Sequence, residues 1–248
     1  MAGYDAIAGI YDPWSRSVVE DIDFYVEEAL HSGGPVVELA VGTGRIAVPI
    51  ARRGIRVIGV DQSEGMLAVA RAYAEREGVE SLLDLRVGDL RRPPVGERVP
   101  LVICPFRSLL HLPNEGQKLE GLRAARALLE PGGRLVFDVF SPSPEDIAET
   151  QGLWLEREPQ IFERAVWEES ERRLTLSVRS GAAATTMALH WLPAREWARL
   201  LDEAGLEAID TFGWFDRRPF TGGEDMIWVC RPRPPFAGRP RGAVESAT

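Results

Sequence analysis

From residue 35 to residue 140 the chain repeats one unit: a short apolar run, a turn bearing an acid or glycines, and a stretch with helical spacing. The first run, Val36-Val37-Glu38-Leu39-Ala40, leads through Gly42-Thr43-Gly44 into a helical stretch from Arg45 to Arg53, which Gly54 stops. The second, Ile55 to Val60, ends at Asp61. Ser63 then caps a helix in which Met66, Leu67, Val69, Ala70 and Tyr73 keep helical spacing until Gly78. A third run, Leu82 to Val87, ends in Gly88-Asp89-Leu90, and a fourth is Leu101 to Cys104. A helix from Glu115 to Leu129 and the turn Pro131-Gly132-Gly133 precede a fifth strand, Arg134 to Phe140. Strands alternating with helices pair in parallel through right-handed crossovers, so the fold class is α/β. Pro49 lies inside the first helix, removes one backbone hydrogen bond and predicts a kink.

The rhythm changes between residues 153 and 191. Leu174, Leu176 and Val178 alternate with Thr175, Ser177 and Arg179, and Met187, Leu189 and Trp191 alternate with Ala188 and His190. Such alternation marks antiparallel strands with one wet face. Pro193 then opens a helix running to Ala204, Gly205 closes it, and two strands follow, Leu206 to Phe212 and Asp225 to Cys230. Residues 232–248 are rich in Pro, Arg, Gly and Ala and read as a disordered tail.

Charge and cysteine content narrow the function classes. With 29 Lys and Arg against 38 Asp and Glu, the net charge of −9 gives no broad attraction for phosphate backbones or anionic lipid. Nucleic acid and membrane are therefore not expected as partners; the expected location is the cytoplasm and the expected state a monomer or homodimer. No apolar run has the length of a signal peptide or a membrane span. Cys104 and Cys230 sit in apolar runs with no CxxC pair and read as buried thiols. The three His residues are not at ligand spacing, so no metal is expected.

In an open parallel sheet, ligands bind beyond the carboxyl ends of the strands. Three consecutive strands deliver an acid or a glycine loop to that edge. The glycines after Glu38 let the backbone approach a ligand, and the next helix offers its N-terminus to a carboxylate or a phosphate. Asp61 presents two acceptor oxygens to a ribose diol. The Asp89 carboxylate accepts from an adenine amino group, the Leu90 amide donates to a ring nitrogen, and Met66 covers the ring. The glycine loop alone also fits G-x-G-x-x-A, a form of the dinucleotide fingerprint.

Four motifs, Val36-Val37-Glu38-Leu39-Ala40-Val41-Gly42-Thr43-Gly44, Gly59-Val60-Asp61-Gln62-Ser63, Gly88-Asp89-Leu90 and Leu129-Glu130-Pro131-Gly132-Gly133-Arg134-Leu135, resemble in order and spacing those of class I S-adenosylmethionine-dependent methyltransferases of the small-molecule type. The resemblance implies a Rossmann-like seven-stranded, mainly parallel sheet with helices on both faces and a final antiparallel strand, plus a small inserted antiparallel sheet. It divides the chain into an N-terminal helical lid (1–34), a cofactor-binding core (35–140), a β insertion over the active site (141–192), the rest of the core (193–231) and the tail. The cofactor would be S-adenosylmethionine, with S-adenosylhomocysteine as product. Gly42, Thr43 and Gly44 would contact its methionine part, Glu38 its amino group, Asp61 the ribose and Asp89 the adenine, with Gln62, Met66, Gly88 and Leu90 also against the cofactor. Ala40 and Pro105 would complete the cofactor wall; Ala40 stands where many relatives have a first glycine and adds only a methyl group. Tyr4-Asp5 and Tyr11-Asp12-Pro13-Trp14 resemble the lid of such enzymes, with Tyr11 closing over the cofactor; the alternative is that Tyr4, Ile7 and Tyr11 form one face of a core helix.

Methyl transfer depends mainly on positioning and exclusion of water, and a base is needed when the acceptor is a hydroxyl. After the fourth strand, Arg107 is a candidate partner for an acidic acceptor group and His111 a candidate proton acceptor. Tyr4, Trp14, Trp154, Phe162, Trp167 and Trp214 are candidates for shaping the acceptor pocket. The predicted function is methyl transfer to a nitrogen or oxygen of a small molecule by in-line displacement. The alternatives are an NAD-dependent oxidoreductase, which leaves Glu38 and the Gly-Asp-Leu motif without a role, and a non-catalytic S-adenosylmethionine-binding module.

Overall fold

A computed structural model describes residues 4–5, 8–15 and 19–234. Helices α1 (Ala8–Ser15) and α2 (Glu20–Ser32) precede β1 (Val36–Leu39), α3 (Ala47–Ala51), β2 (Val57–Asp61), α4 (Glu64–Glu77), β3 (Leu83–Val87) and β4 (Val99–Cys104). Next come α5 (Glu115–Ala127), β5 (Leu129–Phe140) and α6 (Pro144–Thr150). Four strands then form a separate antiparallel sheet: β6 (Trp154–Glu158), β7 (Ile161–Glu168), β8 (Arg173–Ser180) and β9 (Ala183–His190). Finally α7 (Ala194–Glu203), β10 (Leu206–Phe212) and β11 (Asp225–Pro232) complete the main sheet.

The main sheet has seven strands in the order β10-β11-β5-β4-β1-β2-β3, parallel except for β11, which runs antiparallel to both β5 and β10. Alternate residues of the central strands feed the two faces. Val37, Leu39, Ile58 and Val60 join Leu122 of α5 and Trp197 and Leu200 of α7 on one side. Val36, Val57, Leu101 and Ile103 join Phe24 and Tyr25 of α2 and Ile50 of α3 on the other. Helices therefore cover both faces, which is why all four β1 residues are buried. The chain winds one way from β1 to β3 and the other way from β4 onward, so the β1–β4 boundary is the switch point where such sheets bind ligands.

Several local expectations are corrected. The helix expected from Arg45 to Arg53 shrinks to five residues because the backbone keeps turning through residues 42–46. Pro49 is the third residue of α3, between the Val48 N–H, which donates to the Gly44 carbonyl at 2.9 Å, and the Ile50 N–H, which donates to the Ile46 carbonyl at 3.2 Å, so it removes one bond from that ladder. The first strand stops at Leu39, and Ala40 leaves it at φ 59°. The fifth strand starts at Leu129 rather than Arg134: Val99 faces Leu129 and Leu101 faces Arg134, so Pro131-Gly132-Gly133 is taken up as a bulge. Pro193 is the cap of α7 rather than its first residue. Of the expected tail, Pro232 ends β11 and residues 233–234 follow, while residues 235–248 and Ile7 lie outside the described residues. Cys104 and Cys230 are buried and unbonded. Among the described residues no helix is long and apolar enough to cross a membrane.

Gly59 fixes how closely the loop after β1 packs on β2. A Cβ at this position would lie 2.8 Å from Leu85 Cδ2 and 2.8 Å from Val41 Cγ2. Overpacking of this kind costs about 1–3 kcal/mol. Gly59→Ala is therefore expected to lower the unfolding free energy by that amount in urea titrations at unchanged m-value; an unchanged midpoint would contradict the packing described.

Candidate active site

The loop after β1 is left-handed at three places, Ala40, Gly42 and Gly44, at φ 59°, 56° and 81°. The methyl of Ala40 is therefore not neutral, since an L-residue pays roughly 1–2 kcal/mol for that backbone. Asp61 holds the loop in place: its Oδ2 accepts from the Gly42 N–H at 2.9 Å and its Oδ1 from the Ser63 N–H at 2.8 Å. One carboxylate thus ties the β1 loop to the start of α4, whose cap is the Ser63 hydroxyl, accepting from the Met66 N–H. Burial pushes Asp61 above the usual carboxylate range, against the pull of these amide donors.

Beyond these loops lies a cavity of two adjoining lobes that share five lining residues. The larger is lined by Val60, Asp61, Gln62, Met66, Gly88, Leu90, Tyr4 and His111. Glu38, Val41, Thr43, Arg45, Ile46 and Pro105 line the smaller. Tyr11, Ala40, Gly42, Phe106 and Ser108 belong to both and mark the junction.

The smaller lobe is electrostatically unusual. Glu38 is buried, its Oε2 has no hydrogen-bond partner, and burial drives it well above the ordinary carboxylate range, with Arg45 pulling the other way. Arg45 is itself gripped by the buried Asp21, at 2.7 and 2.5 Å, with its guanidinium 4.6 Å above the Phe106 ring. A buried, unpartnered carboxylate oxygen suits an ammonium group, which donates the missing hydrogen bonds.

The N-terminal segment contributes Tyr4 and Tyr11 to the cavity wall. Tyr4 Oη stands 2.9 Å from His111 Nε2 and 3.1 Å from Met187 Sδ of β9, which brings the inserted sheet to the site. Tyr11 packs edge-on against Tyr4, Trp14 and Phe106. Asp5 accepts from the Ser63 hydroxyl at 2.5 Å, Asp12 from the Thr43 hydroxyl at 2.5 Å, and Glu163 of β7 from Trp14 Nε1 at 2.9 Å.

Other expected site residues lie elsewhere. Asp89 does not line the cavity; its carboxylate is taken by Arg91 at 2.5 Å, which holds its pKa down. Gly44 faces Ala70 and Val48 rather than the lobes, so its lack of a Cβ serves packing. Arg107 pairs with Asp225 at 2.9 Å over the Phe140 ring, outside both lobes. Trp154 and Phe162 flank Arg179 on the outer face of the inserted sheet. Trp167 is packed against Phe140 and Trp191, and Trp214 against Phe215. Sequence reasoning missed Arg45, Asp21 and Asp138. Only Asp138 gave a signal, as one acid inside the apolar run Leu135 to Phe140. Among the described residues no set of three or more His, Cys, Asp or Glu is grouped to hold a metal ion.

Comparison with known proteins agrees with this geometry. Residues 36–133 match the family described as "Methyltransferase domain". A Bacillus subtilis protein named as a methyltransferase, YqeM, is 31% identical over 141 residues, 56% of each chain. A ubiquinone biosynthesis O-methyltransferase of Acinetobacter baumannii is 29% identical over 116 residues, 46% of this chain and 47% of that one. The chain thus spans about half the length of these curated relatives. The solved structure of the CcbJ methyltransferase from Streptomyces caelestis superimposes with a TM-score of 0.78 at 28% identity, covering 92% of this chain and 96% of that one.

Burial pulls His111 down to about 4, opposed by a hydrogen bond to the Ala188 backbone. Its folded pKa lies below the unfolded value near 6.5, so its share of stability is present above about 6.5 and lost as pH falls through about 4. In NMR titrations the His111 ring is expected to stay neutral from pH 8 to about 5; a midpoint above 6 would contradict the packing around it.

Proposed function

We propose that this chain is a class I S-adenosylmethionine-dependent methyltransferase that moves a methyl group by in-line displacement to a nitrogen or oxygen of a small molecule that enters uncharged. The observation that carries the reading is the two-lobed cavity, with the unpartnered Glu38 oxygen in one lobe and Asp61 in the other. When bound, S-adenosylmethionine supplies an electrophilic methyl on a cationic sulfur.

The residues present suit that cofactor. Glu38 would hold its amino group and the Gly42 loop its methionine part. Asp61 and Gln62 would hold the ribose, while Val60, Met66 and Leu90 would enclose the adenine. Asp89 reaches the adenine amino group only by leaving Arg91. Tyr11, Phe106 and Ser108 stand at the junction, where the methyl would be delivered. Tyr4, Tyr11 and Phe106 keep water from that point, so that much of the rate comes from placement in a dry site. Tyr4 and His111 line the same lobe as Asp61 and would face the acceptor, and both are held neutral by burial. Such a wall favours an acceptor without charge over an anion. With a hydroxyl acceptor, His111 Nε2 takes the proton through the Tyr4 hydroxyl; an amine that enters neutral needs no base.

Calorimetric titration tests the reading. S-adenosylhomocysteine is expected to bind the wild type and to lose affinity at least about tenfold in Asp61→Ala, a loss of about 1.4 kcal/mol, while NADH gives no binding signal. Transfer of labelled methyl to a panel of amines and hydroxyl compounds then identifies the acceptor. NADH binding without S-adenosylhomocysteine binding would overturn the cofactor; tight binding with no transfer would favour a sensor module.

A further inference from the structure

Asp138 lies two residues before the carboxyl end of β5, paired across the sheet with Ile227 and flanked by apolar residues of its own strand. A carboxylate in such a place persists only if several donors meet it. Three do: the Tyr25 hydroxyl at 2.6 Å, the Phe106 N–H at 2.8 Å and the Arg107 N–H at 2.9 Å.

The last two belong to consecutive residues that are both left-handed, Phe106 at φ 56° and Arg107 at φ 61°. Residues with side chains hold that backbone only where their surroundings impose it. Phe106, which this turn carries, is one of the five residues shared by the two lobes, with the Arg45 guanidinium 4.6 Å above its ring and Tyr11 beside it. Helix α2 reaches both sides of the ring: Asp21 grips Arg45, and Tyr25, one turn later, donates to Asp138.

We propose that Asp138 is a positioning residue for methyl transfer, holding the Phe106-Arg107 turn so that the Phe106 ring stands at the junction of the two lobes. The proposal rests on the S-adenosylmethionine reading of the cavity. It differs from a purely structural role because its effect passes through one side chain, Phe106, and is spent on the bound cofactor.

The test is a double-mutant cycle read by S-adenosylhomocysteine affinity, together with the amide spectrum of the ligand-free protein. Asp138→Asn keeps one acceptor oxygen and turns an NH₂ toward a backbone donor of the turn. It is expected to weaken binding about tenfold and to move the Phe106 and Arg107 amide signals upfield as their charge-assisted bonds are lost. Phe106→Ala is expected to weaken binding by a similar factor, and the double variant by no more than about twentyfold, because the two act in series. Losses that multiply to about a hundredfold, or amides that do not move, would overturn the proposal. If Asp138→Asn does not fold, Tyr25→Phe takes its place: the same two amides shift, and a loss of about threefold disappears in the Phe106→Ala background. Should the wild type bind no S-adenosylhomocysteine, the cofactor reading fails on its own, and the amide shifts alone decide whether Asp138 holds the turn.

Discussion

Four carboxylates, Asp21, Glu38, Asp61 and Asp138, crowd the carboxyl edge of the main sheet, and the Arg45 guanidinium stands among them. Removing a carboxylate from water costs several kcal/mol unless donors replace the lost hydration. The chain supplies donors largely from its backbone: Gly42 and Ser63 to Asp61, Phe106 and Arg107 to Asp138. These bonds shape the loops that enclose the cavity, so electrostatic satisfaction and site geometry are one problem with one solution. Glu38 is the exception, because one of its oxygens has no partner. Burial raises Glu38 and Asp61 and lifts Asp138 to about 6, as in a site that accepts further negative charge reluctantly and a cation readily.

The linear pattern carried the architecture because the sheet and its helices are governed by local periodicity. The continuous apolar runs of the central strands, the Ser63 cap and the acid at the end of β2 are all short-range features, and each lies where the spacing puts it. The small cavity-lining set also follows from that spacing, since loops after adjacent parallel strands must converge. What depends on long-range pairing was not legible. Tyr4 and His111 are 107 residues apart, and nothing in either neighbourhood announces the contact.

The aromatic residues of the insertion show the same limit in another way. An alternating strand says that one face is wet but not which residues share a face with the active site. Register decides it: Trp154 pairs with Arg164 on the outer face, whereas Met187, paired with Leu176, faces inward and meets Tyr4. Arg45 was hidden for a different reason. The turns through residues 42–46 replace the expected first helical turn and send its side chain to Asp21 instead of solvent.

The pH dependence of S-adenosylhomocysteine affinity between about pH 5 and 8 tests the role of Glu38 most directly. In the free protein burial raises Glu38 above its ordinary range, while an ammonium ligand favours its ionised form, so binding is coupled to loss of its proton. Affinity is expected to rise with pH in the wild type. In Glu38→Gln it should be weaker, and the part of the rise that Glu38 contributes should vanish. Equal affinity across the range in the wild type, or an unaltered profile in Glu38→Gln, would contradict the account.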